Sequence, residues 1–153
     1  MRILEAVEAV NEEQKSILYR KLMTHFGGDI NGKRIAIWGL AFKPETDDMR
    51  EAPALVLIDK LVEFGALVKV YDPVAMNECK RRVGDKVVYA TDMYDAVLDA
   101  DALLLVTEWK EFRMPSWGVV KKTMRQAVVI DGRNIYDVNE LKAINIEYRC
   151  IGQ

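Results

Sequence analysis

The sequence predicts an α/β fold: a doubly wound, mostly parallel sheet of about six strands, with helices on both faces and a long N-terminal helix before the first strand. Short apolar runs alternate with helical patterns from residue 33 onward. Three of the runs, IAIW, ALLLV and AVVI, are apolar throughout, which is typical of parallel strands covered on both faces. Residues at the boundaries of the first connecting helix support this fold, because Pro53 favours a helix start and Gly65 a helix end.

The predicted elements follow one another in a regular order. Residues 2–26 carry a helical apolar stripe that stops at Gly27-Gly28, so they form the first predicted helix. The predicted strands are residues 33–38, 67–71, 87–89, 102–106, 127–130 and 146–149. The predicted helices between them are residues 53–64, 73–83, 93–98, one or two pieces within 109–125, and 138–143. Because no strand precedes the first helix, we expect the chain to begin inside a larger protein.

Composition and charge narrow the classes of function. Of the 153 residues, 50% are hydrophobic and 30% charged, as in a folded soluble domain. The 22 basic and 24 acidic residues give a net charge of −2, which argues against a nucleic-acid surface. Cys79 and Cys150 lack metal or redox spacing and indicate a reduced, cytoplasmic compartment. His25 is the sole histidine, so we expect no histidine-rich metal site, and no apolar run reaches the ~20 residues of a membrane span.

Cationic residues follow two of the predicted strands. Ligands of open α/β sheets bind beyond the carboxyl ends of the strands. Lys43 and Arg50 lie in the loop after the first strand, and Arg133 follows the fifth. Such residues suit a phosphate or carboxylate ligand. A purely structural role in bracing the loops is an equal alternative on this evidence.

The dinucleotide-binding fingerprint GxGxxG is not present. After Gly39 the motif requires two further glycines, where the chain has Ala41 and Pro44. Asp72 ends the second strand but lies 33 residues beyond Gly39, farther than the usual ~20. We therefore predict a Rossmann-like sheet without its own phosphate-binding turn, and we interpret Asp72-Pro73 as a turn and helix start.

Three other candidate sites are weaker. Asp47 and Asp48 lie nine or more residues past the first strand, too far for the acid pair of a phosphoacceptor receiver domain. Cys79 has no nearby base in the sequence that would activate it as a nucleophile. Local packing, rather than stacking on a base, is the preferred interpretation of three aromatic residues, which are Trp109, Phe112 and Trp117.

Several stretches together resemble one enzyme family. Residues 39–53, GLAFKPETDDMREAP, closely resemble the loop that opens the C-terminal domain of the UDP-glucose/GDP-mannose dehydrogenases. LVEFGALVKVYDP, LLLVTEWKEF and VVIDGRNIYD resemble the family's second, fourth and fifth strand blocks, and VNEEQK resembles the end of its central helix. The resemblance covers essentially the whole chain in the expected order. TEWKEF and DGRNIYD are most similar to the UDP-glucose 6-dehydrogenase branch.

The resemblance implies an oxidation of the 6-hydroxymethyl group of UDP-glucose to a carboxylate, with two NAD per turnover. It implies that residues 1–28 end the central dimerisation helix of a parent enzyme and that residues 29–153 form its nucleotide-sugar-binding domain. Phe42, Lys43 and Arg133 match the substrate-binding residues, and Arg50 matches an arginine that contacts NAD. Nothing here matches the NAD domain or the catalytic cysteine, so we expect an inactive chain that works with the rest of a homodimeric enzyme.

Two alternatives remain open at this point. The domain could serve a GDP-mannose or UDP-N-acetylmannosamine dehydrogenase, since selectivity also depends on the other domains. It could instead be a non-catalytic oligomerisation module. The working surface of such a module would be the apolar stripe of the first helix, formed by Ile3, Val7, Val10 and Ile17.

Overall fold

One parallel sheet organises the chain. The computed structural model describes residues 16–151. The strands are β1 (Arg34–Trp38), β2 (Leu67–Tyr71), β3 (Val88–Tyr89), β4 (Ala102–Leu105), β5 (Val128–Asp131) and β6 (Glu147–Cys150). Their order in the sheet is β3-β2-β1-β4-β5-β6, and every pairing is parallel. The predicted doubly wound α/β fold is confirmed, with the strand order of dinucleotide-binding domains.

Helices connect the strands. They are α1 (residues 16–25 of the described chain), α2 (Pro53–Glu63), α3 (Met76–Val83), α4 (Met93–Val97), α5 (Lys110–Arg113), α6 (Trp117–Thr123) and α7 (Val138–Ala143). A 3-10 turn, Gly84–Lys86, follows α3. The predicted first helix is confirmed over residues 16–25, and residues 2–15 lie outside the described residues. Within residues 16–151, no helix has both the length and the apolar character needed to cross a bilayer.

The central strands are buried on both faces, which explains their unbroken apolar sequence. In β1, Ile35 and Ile37 join the core under α1, α2 and α3. Ala36 and Trp38 point to the opposite face and join the core under α4, α5, α6 and α7. Full burial of such an aliphatic side chain contributes about 1.5–3 kcal/mol, so a polar residue at any of these positions would be costly.

The aromatic residues after β4 belong to the second core. Phe112 stacks on Trp38, with ring centroids 5.0 Å apart and an interplanar angle of 12°. Trp117 meets Tyr136 edge to face at 4.7 Å. Trp109 is also buried. The packing interpretation of these side chains is confirmed, because buried rings cannot stack on a base.

A buried carboxylate links several segments at the amino-terminal edge of the sheet. Asp101, just before β4, accepts hydrogen bonds from the Arg34 N–H at 2.8 Å and from Arg125 Nε and Nη2 at 2.7 and 2.6 Å. Gln126 Nε2 donates a further bond at 3.0 Å. Burial alone would raise the pKa of Asp101, but these donors outweigh it and lower the pKa to about 2. The ion pair therefore fixes the β4 start to the β1 start and to the segment that leads into β5.

Two of the boundaries that differ from the sequence-based prediction lie beside aspartates. Helix α3 begins at Met76 instead of residue 73, because Asp72 Oδ1 accepts the N–H groups of Val74 and Ala75 and holds them in a turn. Strand β5 extends to Asp131, one residue beyond the predicted end. The acid therefore belongs to the strand, with its carboxylate available to the loop that follows.

Candidate functional site

The candidate site lies at the carboxyl edge of the sheet, where β1 and β4 are neighbours. The chain leaves these two strands in opposite directions across the sheet, toward β2 and β5. This is the switch point at which open α/β sheets bind ligands. Three loops meet there: residues 39–52 after β1, 106–109 after β4 and 132–137 after β5.

The loops after β1 and β4 are in direct contact. Gly39 has a φ of +98°, and a Cβ at this position would lie 2.5 Å from both Cβ and N of Thr107. The Thr107 hydroxyl donates to the Ala41 carbonyl at 2.6 Å. Only glycine allows both the backbone conformation and this close approach. The loops after β1 and β4 are therefore held in close contact at the base of the site.

Asp72, at the end of β2, joins three segments of the site. Its Oδ2 accepts from the backbone N–H groups of Leu40 and Ala41 at 2.7 and 3.1 Å and from Trp109 Nε1 at 3.1 Å. Its Oδ1 accepts from the two N–H groups of the turn before α3. The predicted turn is confirmed, and both carboxylate oxygens are used inside the protein. Asp72 is therefore a structural residue, not a ribose ligand.

The loop after β1 is held by its own side chains. Phe42 N–H donates to the Asp48 carbonyl at 2.7 Å, and Asp48 N–H donates to Thr46 Oγ1 at 3.1 Å. The Asp48 carboxylate accepts from Arg50 three times, from N, Nε and Nη2, at 2.9, 3.1 and 3.1 Å. Chiefly through the side-chain bonds, Arg50 lowers the pKa of Asp48 to about 2. Met49, between them, is buried in the core.

Phe42 and Lys43 lie at the exposed tip of this loop. Phe42 is 51% exposed, an unusual position for a large apolar residue. Lys43 is exposed and makes no hydrogen bond or ion pair with any residue from 16 to 151. Its ammonium group is therefore available to an external anion.

The loop after β5 presents Arg133. Asp131 Oδ1 accepts from the Arg133 N–H at 2.9 Å, and Oδ2 accepts from the N–H groups of Ile135 and Tyr136 at 2.8 and 3.0 Å. The Tyr148 hydroxyl donates to the same Oδ2 at 2.9 Å. These bonds fix the loop backbone, while the Arg133 side chain stays 43% exposed.

Glu108 pairs with this arginine. Its carboxylate accepts from Arg133 Nε across the gap between the β4 and β5 loops. Glu108 is mostly buried, so the paired carboxylate lies beneath the arginine rather than in solvent. The sequence places Glu108 at a strand end but gives no signal that it contacts Arg133, because 25 residues separate the two.

The loops that carry the three predicted cations all leave the carboxyl edge of the sheet. Strands β1 and β5 both flank β4, so their carboxyl ends lie about 10 Å apart at the usual strand spacing. The strands that lead to Lys43 and to Arg133 thus end on either side of the crevice above β4. Arg50 instead lines a shallow groove of about 640 Å³ with Phe42, Glu51 and Arg82. Arg82 comes from α3, and sequence reasoning missed it because only tertiary packing brings it to the loop.

Within residues 16–151, neither a metal-ligand cluster nor a reactive thiol adds to this site. Among residues 16–151 there is no group of three or more histidine, cysteine, aspartate or glutamate residues that could hold a metal ion. Both cysteines are buried free thiols. Burial raises the pKa of Cys79 to about 11, so its reactive thiolate is suppressed.

The fold and the crevice define the class of the protein: a doubly wound α/β domain with cationic residues at its switch point. The sequence model described as "UDP-glucose/GDP-mannose dehydrogenase family, UDP binding domain" matches residues 36–138. The chain belongs to this family, as the sequence resemblance implied.

Relatives and solved structures agree. UDP-glucose 6-dehydrogenase TuaD of Bacillus subtilis is 42% identical over 99% of this chain, and UDP-glucose 6-dehydrogenase of Pseudomonas aeruginosa is 43% identical over 99%. The chain covers 33% and 35% of these proteins. A UDP-glucose dehydrogenase structure from Pyrobaculum islandicum superposes with a TM-score of 0.83 at 30% identity, over 99% of this chain and 32% of that one. A UDP-D-ManNAc dehydrogenase structure from Pyrococcus horikoshii gives 0.71 at 28% identity, over 95% and 31%.

Proposed function

We propose that this chain is the UDP-sugar-binding part of an NAD-dependent UDP-glucose 6-dehydrogenase. The parent enzyme oxidises UDP-glucose to UDP-glucuronate with two NAD per turnover. The chain spans about a third of the relatives it matches, so NAD binding and the catalytic cysteine are assigned to the remainder of the enzyme. The chain alone is inactive. Its free thiols fit a cytoplasmic enzyme.

The exposed ammonium group of Lys43 carries this proposal. A UDP-sugar brings a pyrophosphate, whose negative charges require cationic donors. Lys43 has no partner among residues 16–151, and Arg133 follows β5, which lies on the other side of β4 from β1. Together they hold the pyrophosphate and the neighbouring sugar, while the exposed Phe42 ring covers an apolar face of the ligand. In this proposal, residues 1–28 form the end of a dimerisation helix, and residues 29–153 form this binding domain.

Arg50 serves a different ligand in this proposal. Its side chain is 80% exposed and lines the same groove as Phe42 and Arg82. From there it contacts NAD held by another domain or by the second subunit of a homodimer. Asp48 keeps the guanidinium in place until that contact forms.

Calorimetric titration of the chain with UDP tests the substrate site. Lys43→Ala is expected to weaken UDP binding about tenfold to a hundredfold, because a hydrogen bond to a charged group contributes about 1.5–3 kcal/mol. Lys122→Ala is the matched control. Lys122 is an exposed lysine next to Thr123, whose carbonyl accepts from Asp99 N–H at the opposite edge of the sheet. Equal affinities for all three proteins, or no heat from the wild type, would refute the substrate site.

A UDP-N-acetylmannosamine dehydrogenase is the second candidate, supported by the similarity to the Pyrococcus structure. The same titration with UDP-glucose, UDP-N-acetylmannosamine and GDP-mannose separates the candidates. A UDP-glucose enzyme should bind UDP-glucose at least as tightly as UDP and GDP-mannose more weakly. Tighter binding of UDP-N-acetylmannosamine than of UDP-glucose would favour the second candidate.

A further inference from the structure

Glu108 stands out because its neighbours in the chain hold it rigidly at the crevice. Thr107 is buried and donates its hydroxyl to the loop after β1. Trp109 is buried too, with its N–H bonded to the Thr107 carbonyl at 3.0 Å and its indole Nε1 bonded to Asp72. A residue fixed on both sides cannot move far. The Glu108 backbone is therefore a fixed point above β4, and its mostly buried side chain extends from there to Arg133.

That fixed point determines which edge of the Arg133 guanidinium faces outward. An arginine carries five N–H donors, and the Nε donor is bonded to Glu108. The four N–H groups on the two terminal nitrogens have no partner among residues 16–151. They form the end-on edge of the fork, which can donate two parallel hydrogen bonds to a phosphate.

We propose that Glu108 is a positioning residue that turns the terminal nitrogens of Arg133 toward the phosphates of the nucleotide sugar. This inference rests on the proposed UDP-sugar site. A free arginine side chain must lose rotamer freedom when it binds an anion, and a side chain already held in place loses less. The negative charge of Glu108 opposes phosphate binding at the same time, so orientation and charge have opposite effects on affinity.

Two substitutions separate these effects. Glu108→Gln removes the charge but keeps an oxygen that accepts from Nε. Glu108→Ala removes both. Comparison of the two variants therefore isolates orientation, and we expect the alanine variant to bind UDP about three- to tenfold more weakly than the glutamine variant. The ratio should stay the same between about 50 and about 500 mM salt, because salt screens charge repulsion and leaves side-chain freedom unchanged.

The decisive experiment titrates both variants with UDP, alone and combined with Arg133→Ala. If Glu108 acts through Arg133, the ratio falls to one when the arginine is absent. A ratio of one with Arg133 present, or a ratio that survives without it, would overturn the inference. Thermal unfolding of each variant identifies a loss of affinity that comes from misfolding.

The arginine Nε–H resonance of Arg133 gives a readout that does not depend on UDP. A protected resonance is expected in the wild type and in Glu108→Gln, and loss of protection in Glu108→Ala. If the resonance behaves this way but the wild type binds no UDP, the proposed function fails while the pairing stands. If the wild type binds UDP and the resonance is unprotected, the positioning role alone fails.

Discussion

The replacement of Asp72 by asparagine tests how the site is held together. Asparagine has nearly the same shape but only one acceptor oxygen. If its amide nitrogen takes the place of Oδ1, it faces the N–H groups of Val74 and Ala75, and if it takes the place of Oδ2 it faces three donors. At least two donors, each buried or part-buried, therefore lose their acceptor. At about 1–3 kcal/mol for each, the free energy of unfolding should fall by about 4 kcal/mol.

Urea unfolding followed by tryptophan fluorescence measures this loss, since all three tryptophans are buried. Asp92→Asn is the matched control. Asp92 also accepts two backbone N–H groups, from Tyr94 and Asp95, but at an exposed helix start where asparagine caps equally well. It should change stability by less than about 0.5 kcal/mol. Similar effects of the two substitutions would refute the argument that burial makes Asp72 a structural junction.

Three further predictions concern the same chain. Gly39→Ala should cost about 3 kcal/mol in urea unfolding, because its Cβ would lie 2.5 Å from Thr107, whereas Gly118→Ala in open space should cost nothing. The pKa of Asp101 is lowered from 3.8 to about 2, so its ionised carboxylate should contribute about 2.5 kcal/mol to the free energy of unfolding above pH 5, and this contribution is lost as pH falls toward 2. The free energy of unfolding of Asp101→Asn should fall less over that pH range, and an equal fall in both proteins would contradict this prediction. Cys79, with its pKa raised to about 11, should react with iodoacetamide far more slowly at neutral pH than free cysteine does, and rapid labelling would show an activated thiol.

The fold could be predicted from the sequence because two-sided burial leaves a direct mark on it. A strand covered on both faces must be apolar along its buried length, so β4 and all but one end residue of β1 and β5 appear as unbroken apolar runs. Helix ends were less predictable. The start of α3 depends on the Asp72 carboxylate, which competes with the helix for the N–H groups of residues 74 and 75.

The sequence predicted which edge of the sheet carries Lys43 and Arg133, but not which side chains pair with the arginines. Lys43 and Arg133 follow strands, and parallel strands end at one edge, so their common location follows from the fold. The side-chain partners of Arg50 and Arg133 do not follow from the fold in this way. The choice of Asp48 over Asp47 as the partner of Arg50 depends on the local loop conformation, and Glu108 and Arg82 arrive through tertiary packing.

The described part of α1 bears on the oligomerisation alternative. Leu18 and Leu22 are buried in the core of this chain, and Leu18 Cδ1 would lie 2.8 Å from a Cβ at Gly132. This segment of the helix is therefore packed against its own sheet. Ile17 is half-buried, and the remaining residues of the proposed stripe lie outside the described residues. The oligomerisation surface stays a prediction.

The three predicted cationic site residues, Lys43, Arg50 and Arg133, differ in which partner a ligand must displace. An anion that approaches Lys43 replaces only water, because the lysine has no partner among residues 16–151. An anion at Arg133 meets a guanidinium that keeps its bond to Glu108 and offers its outer edge. An anion at Arg50 competes directly with Asp48, which already occupies Nε and Nη2. Recruitment of Arg50 therefore requires a ligand with further contacts elsewhere, as expected for a cofactor held mainly by another domain, whereas the proposed nucleotide contacts of Lys43 and Arg133 displace no protein carboxylate.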